Sequence, residues 1–305
     1  MSMPAGAKSQ RTRKHHYLPR HYLAGFVDAN NCFFIYDKLD DRLLSSPLTP
    51  DAAFFENNLN TVSFPNGESS DFMENLYTII ENKSWDSLDN IRRSTNRTKI
   101  AVFDEMHLFF FLSFLHWRLP ANINYVEELS KGFFVEDNSL SFLRLKTANG
   151  ENAPKEIREL MRNSPAFKKS AKLMIPFAPF FDASWSGRIE KWRFLYTGDS
   201  KNWYIVGDNP IITKGDNDHD PVNCLNEFAF PVSGRILLIN TDKPIKKFML
   251  PEHVVRVGLS IIQKAQRFIA CQNLSFLAAL VGFYRQYVKS NKTDTIIGEM
   301  FDMFQ

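Results

Sequence analysis

The sequence is poor in residues that declare a chemistry by themselves. Cysteine occurs three times, at Cys32, Cys224 and Cys271, far apart and odd in number. No CxxC pair and no Cys/His ligand spacing is present, which argues against a disulfide framework and a structural zinc site. A reducing cytoplasm is the expected setting. There is no glycine-rich phosphate loop, no GxSxG elbow and no HExxH. P-loop nucleotide hydrolases, α/β-hydrolases and zincin proteases are thereby disfavoured. The first thirty residues hold no uninterrupted apolar stretch, so no secretory signal is expected. The most apolar stretch, residues 106–119, contains His107, Ser113, His116 and Arg118. It is shorter than the roughly 20 residues of a bilayer span and reads as a buried helix, so no membrane partner is expected. Internal repeats and low-complexity tracts are missing as well. The net charge of +3 is too small to imply nucleic acid by itself; local clustering matters more than the sum.

Phenylalanine, by contrast, is abundant, with 28 residues. Each large aromatic buries much area, so a sizeable core is readily supplied. Basic charge and histidine are concentrated at the start. Lys8, Arg11, Arg13, Lys14 and Arg20 precede Val27 with no Asp or Glu among them, and three of the seven histidines are His15, His16 and His21. Residues 1–14 read as a flexible basic tail whose Arg11, Arg13 and Lys14, with Arg20, suit nucleic-acid phosphates. From His16 onward, Pro19, Tyr22, Leu23 and Phe26 form an apolar face that docks the segment on the core. His16 is then fixed, and His15 and His21 become bystanders.

Local patterns predict a strand over residues 32–36 with a turn at Asp40-Asp41-Arg42, then a loop punctuated by Pro47, Pro50 and Pro65. Ser70-Asp71 caps a helix running to about Ile91, with Phe72, Leu76, Ile79, Ile80 and Leu88 inward. Further helices are expected over residues 98–119, 123–134 and 154–174, with a short segment over 176–181. Short β-rich runs follow at residues 192–197, 203–206, 210–213, 227–231 and 235–240. Helix returns over 252–270 and 274–289, with a short tail helix. This order predicts an α+β fold, in which helix-rich N- and C-terminal parts pack on a central, mainly antiparallel sheet. Residues 15–305 are expected to form a single domain, since no long flexible linker divides them.

Polar constellations stand out against this background. Gly207-Asp208-Asn209-Pro210 closes a strand; Asx and Pro make a tight turn there, and Asp208 is a carboxylate able to bind a cation or orient a histidine. Asp216, Asp218 and Asp220 flank His219 but lack the glycine and distal glutamate of a calcium loop, and read as solvated. Glu74 and Glu81, seven apart, share one helical face with Tyr77. Partial burial would make either available for metal or acid/base work. His116 reads as a core histidine. Arg118 complements the end of its helix and, in so aromatic a segment, requires a carboxylate or anion as partner.

Several of these blocks resemble one family. The segment His16-Tyr17-Leu18-Pro19-x-x-Tyr22-Leu23-x-x-Phe26, the spaced Glu74 and Glu81, Arg118 before Pro120, Asp208-Asn209-Pro210 and Phe230-Pro231-Val232-Ser233 are similar to motifs of a bacterial family catalogued as domain of unknown function 4238. Gly207 departs from it, replacing a Ser or Thr whose hydroxyl would cap the turn or touch a ligand. The resemblance implies that His16, Glu81, Arg118 and Asp208 converge. Convergence would suit a metal-dependent nuclease or related phosphodiesterase, a possible bacterial defence or toxin effector. Asp208 and Glu81 would hold Mg²⁺ or Mn²⁺, His16 would act as base or acid, and Arg118 would stabilise phosphorane charge. The alternatives are a non-enzymatic module binding nucleic acid or protein through the basic arm, and a structural polar network formed by His16, Arg118 and Asp208.

Overall fold

A computed structural model describes residues 14–63, 66–94, 100–131, 147–181, 185–197, 203–215, 219–241 and 249–304. The tail expected over residues 1–14 lies outside them except for Lys14, as do Arg11, Arg13, Asp216 and Asp218. The strands are β1 (Lys14–His16), β2 (Phe34–Asp37), β3 (Arg42–Leu43), β4 (Phe55–Asn57), β5 (Val62–Ser63), β6 (Ser69–Ser70), β7 (Trp192–Tyr196), β8 (Val206–Gly207), β9 (Ile212–Thr213), β10 (Phe228–Ser233), β11 (Ile236–Asn240) and β12 (Phe268–Cys271). The α-helices are α1 (Arg20–Leu23), α2 (Phe72–Arg93), α3 (Val102–Arg118), α4 (Ile123–Ser130), α5 (Lys155–Asn163), α6 (Pro165–Ser170), α7 (Trp185–Glu190), α8 (Pro251–Lys264), α9 (Leu274–Lys289) and α10 (Ile296–Met303). This is an α+β fold, as the sequence pattern predicts. No helix among the described residues is long and apolar enough to cross a membrane.

Among the described residues the strands form two four-stranded sheets, ordered β7-β11-β10-β9 and β3-β2-β12-β8, and two small ribbons, β1-β4 and β5-β6. Every pairing is antiparallel. One sheet was expected; two are found, and Asp208-Asn209-Pro210 is the step between them, joining β8 of one to β9 of the other. Strands β10 and β11 are buried along their whole length. Their side chains alternate between two cores. Phe228, Phe230, Val232, Ile236 and Leu238 join a core with α2, α3 and the opening block. Ala229, Leu237 and Ile239 join another with α8, α9 and α10. Helices thus cover both faces of the sheets, so these strands read as apolar runs and not as an apolar/polar alternation.

Three local expectations shift. Helix α2 is rotated from the predicted face: Met73, Tyr77, Leu88 and Ile91 are buried, whereas Phe72, Leu76 and Ile79 are exposed. The helix expected over 154–174 breaks at Ser164-Pro165 into α5 and α6, because Pro165 cannot continue the ladder of hydrogen bonds and starts a new helix instead. The helix expected to reach Ala270 ends at Lys264, and residues 268–271 become β12, paired with β2.

The opening block docks as its spacing predicts. Tyr17, Leu18, Tyr22, Leu23 and Phe26 are buried. The Tyr22 ring stacks on Phe230 with centroids 5.1 Å apart, and its hydroxyl donates to the Pro231 carbonyl at 2.8 Å. Arg92, near the end of α2, holds the block from below. It donates to the carbonyls of His21 (3.0 Å), Tyr22 (2.8 Å) and Val232 (3.2 Å).

Candidate functional site

The β1-β4 ribbon places His15 opposite Glu56 and His16 opposite Phe55. Strand alternation sends the two imidazoles to opposite faces, and the buried one is His15, at 0% exposure. Its Nδ1 accepts the Asn60 amide N–H at 2.9 Å, and the Asn60 side chain donates to Glu74 at 2.8 Å. His15 is therefore no bystander: it fixes the loop after β4. Nor is His21, which stacks on Trp85 at 3.9 Å and lies 3.2 Å from the Asp89 carboxylate.

His16 is half-buried, its ring 5.6 Å from Phe55. Burial, then the charges of Arg20 and Arg118, lower its pKa below the ordinary imidazole value, against an opposing pull from Asp51. Its buried Nε2 has no hydrogen-bond partner among the described residues. The His16 backbone carbonyl accepts a hydrogen bond from Arg118. The same guanidinium, 3% exposed, forms an ion pair with Glu81. It also lies 4.7 Å from the centre of the Tyr77 ring. The helical-face argument linking Glu81 and Tyr77 thus leads to the partner that a buried Arg118 requires.

Asp208 belongs to another cluster. Its carboxylate accepts the backbone N–H groups of Gln266 (2.8 Å), Arg267 (2.7 Å) and Phe268 (2.9 Å). Its own N–H donates to the Phe268 carbonyl at 2.9 Å. Burial raises the Asp208 pKa, while those three amides and Lys38 oppose the rise. None of its bonds goes to His16, Glu81 or Arg118. These contacts also explain the end of α8: the carboxylate takes up the amides of residues 266–268 and turns the chain into β12. Gly207 beside it has little room. A Cβ there would stand 3.1 Å from Ala265 Cβ and Ile261 Cγ2, so any larger residue needs these neighbours to shift by a few tenths of an ångström.

Contacts thus link Arg118 to Glu81 and to the His16 backbone carbonyl, while the hydrogen bonds of the Asp208 carboxylate among the described residues go to Gln266, Arg267 and Phe268. No hydrogen bond or ion pair among the described residues links Glu81 to Asp208. Glu81 is paired with the Arg118 guanidinium, and Asp208 accepts three backbone amides. Among the described residues, no group of three or more His, Cys, Asp and Glu side chains stands where it would hold a metal ion.

Asp208 does line a cleft of about 410 Å³ with Tyr17, Phe55, Glu56, Arg267 and Phe268. Two cations rest on its aromatic walls: Lys14 Nζ lies 4.5 Å from the Phe55 ring centre, and the Arg267 guanidinium 4.7 Å from that of Phe268. Arg267 also binds Asp37 at 2.9 Å. Arg20, on α1, is exposed and pairs with exposed Asp51 at 2.6 Å. Sequence reasoning did not single out Phe55, Arg267 or Phe268, because the cleft joins segments more than 200 residues apart. Nor did it single out Arg92, which in sequence is one more basic residue at a helix end.

The motifs behind the family resemblance meet in this region. Tyr22 reaches Pro231, Arg118 reaches the His16 carbonyl, and Asp208 shares a cleft with Tyr17. No curated protein and no solved structure matches the chain. The model of the family described as "Protein of unknown function (DUF4238)" matches residues 14–275, from the first residue of β1 into α9, and the chain belongs to that family.

Proposed function

We propose that this chain is a non-enzymatic module that binds single-stranded nucleic acid, with a base held in the Phe55/Phe268 cleft and phosphates along Lys14, Arg20 and Arg267. The observation that carries this reading is the pair of cation-capped aromatic rings on one cleft. Aromatic faces accept any base, and basic side chains track the backbone. Glu56 in the cleft would repel a phosphate but accepts hydrogen bonds from base amino groups, so the base points inward. The Arg20–Asp51 pair is exposed on both sides and worth little, so Arg20 is easily released to a phosphate. Arg118 and Asp208 act in this reading as fold-holding groups. The proposed setting is the cytoplasm, where the thiols of Cys32, Cys224 and Cys271 stay free.

Fluorescence anisotropy with labelled 12-nucleotide RNA and DNA tests it. Three phosphate contacts give a salt slope of about −2 for a single strand, or roughly a 20-fold loss of affinity from 50 to 200 mM salt. Lys14→Ala should flatten that slope by about 0.7. Absence of binding at 50 mM salt, or binding indifferent to salt, would overturn the reading. Cleavage of the same oligonucleotides in Mg²⁺ or Mn²⁺, abolished by His16→Ala, would favour the phosphodiesterase reading instead.

A further inference from the structure

A second cleft, of about 510 Å³, opens between α4, α6 and the turn at Leu59. Its size is ordinary for a small-molecule site. Leu59, Ile123, Val126 and Pro165 give it an apolar wall, and Lys168, Lys169 and Lys172 face a single carboxylate, Glu127. Lys172 is the unusual member. It is 1% exposed, and its buried Nζ has no hydrogen-bond partner among the described residues. A buried ammonium normally has a carboxylate or several carbonyls around it. Lys172 feels Glu56 and Glu127 only at a distance, while Lys169 and Arg118 repel it. Burial first, then Lys169, lowers its pKa to about 8. Among the described residues, Lys169 itself reaches the Asn58 carbonyl, at 3.4 Å.

We propose that this cleft binds a small amphipathic anion, an apolar body bearing one carboxylate or phosphate, with Lys172 as the buried counter-charge. The apolar wall takes the body, and the excess of ammonium groups takes the head. An anion would supply the hydrogen-bond acceptor that Lys172 lacks. The cleft shares no lining residue with the Phe55/Phe268 cleft, so the two proposals stand or fall separately.

Isothermal titration of the full chain with decanoate and decyl phosphate, below their micellar concentrations, tests it, with decanol and inorganic phosphate as controls. At least one amphipathic anion should bind tenfold or more tighter than both controls. Lys172→Met keeps the length and removes the charge, and should weaken that binding at least tenfold while the melting temperature holds or rises. If Lys172→Met does not fold, Lys169→Met and the cavity-filling Val126→Trp carry the same expectation. The proposal is overturned if neither anion binds, if decanol or inorganic phosphate binds as well, or if folded Lys172→Met and Val126→Trp bind like the parent.

Discussion

Replacing Arg118 by Leu separates a fold-holding role from a chemical one. The guanidinium is 3% exposed and has three partners: the Glu81 carboxylate, the His16 carbonyl and the Tyr77 ring. A charged hydrogen bond to a carbonyl contributes about 2 kcal/mol. The ring contact adds about 1 kcal/mol. The Glu81 pair, discounted because Glu81 is 27% exposed, adds about 1 kcal/mol more. Leu no longer has to desolvate a charge, which returns roughly 1 kcal/mol. The net expectation is a destabilisation of about 3 kcal/mol, or about 5 °C in Tm for a chain of this length. Urea unfolding followed by fluorescence of the five tryptophans reads it. A double-mutant cycle with Glu81→Leu should return a coupling of about 1 kcal/mol. Oligonucleotide affinity per folded molecule should stay as it was. If Arg118→Leu unfolds within 0.5 kcal/mol of the parent yet abolishes binding or cleavage, the guanidinium serves a ligand and the reasoning fails.

His116 predicts a pH dependence. It is fully buried, and burial, then the charges of Lys264 and His219, lower its pKa from 6.5 to about 3. Between these values the unfolded chain binds a proton that the folded chain refuses, so stability is full above pH 6.5 and falls as the pH drops. The loss from this group at pH 5 is about 2 kcal/mol. Urea melts at pH 7.5 and pH 5 should show a smaller loss in His116→Gln by that amount; identical losses in parent and variant would contradict the assignment. Asp208→Ala removes the acceptor of three amides. It should cost about 3–4 kcal/mol, at roughly 1 kcal/mol or more per orphaned donor. Hydrogen exchange should quicken at Gln266, Arg267 and Phe268, and unchanged protection there would show that the carboxylate does not hold the turn.

How much of this was legible in the sequence depends on the range over which each residue finds its partner. Pro19, Tyr22, Leu23 and Phe26 announced a docked block because their face is set by helical spacing, a local property. Arg118 announced its need for a counter-charge because a guanidinium in an aromatic helix has no other resolution, and Glu81 fell on the face that supplies it. Lys264 gave no comparable sign that α8 ends there. A helical pattern runs on through Ala270, and the stop comes from Asp208, 58 residues before the amide of Gln266 that it binds. Distance in sequence also hid His15, whose partner Asn60 lies 45 residues on. Strand alternation alone makes one of two adjacent histidines face inward, but only the pairing with β4 decides which. Asp208 supports both a turn and a ligand reading in sequence, because an Asp at a strand end is indistinguishable, by type and position, from one that caps a turn. The distinction lies in whether backbone donors saturate it, and those donors come from the far end of the chain. A polar residue whose partners are distant in sequence is therefore the most easily mistaken for a catalytic one, and Lys172, whose Nζ has no hydrogen-bond partner among the described residues, is the better place to look for a ligand.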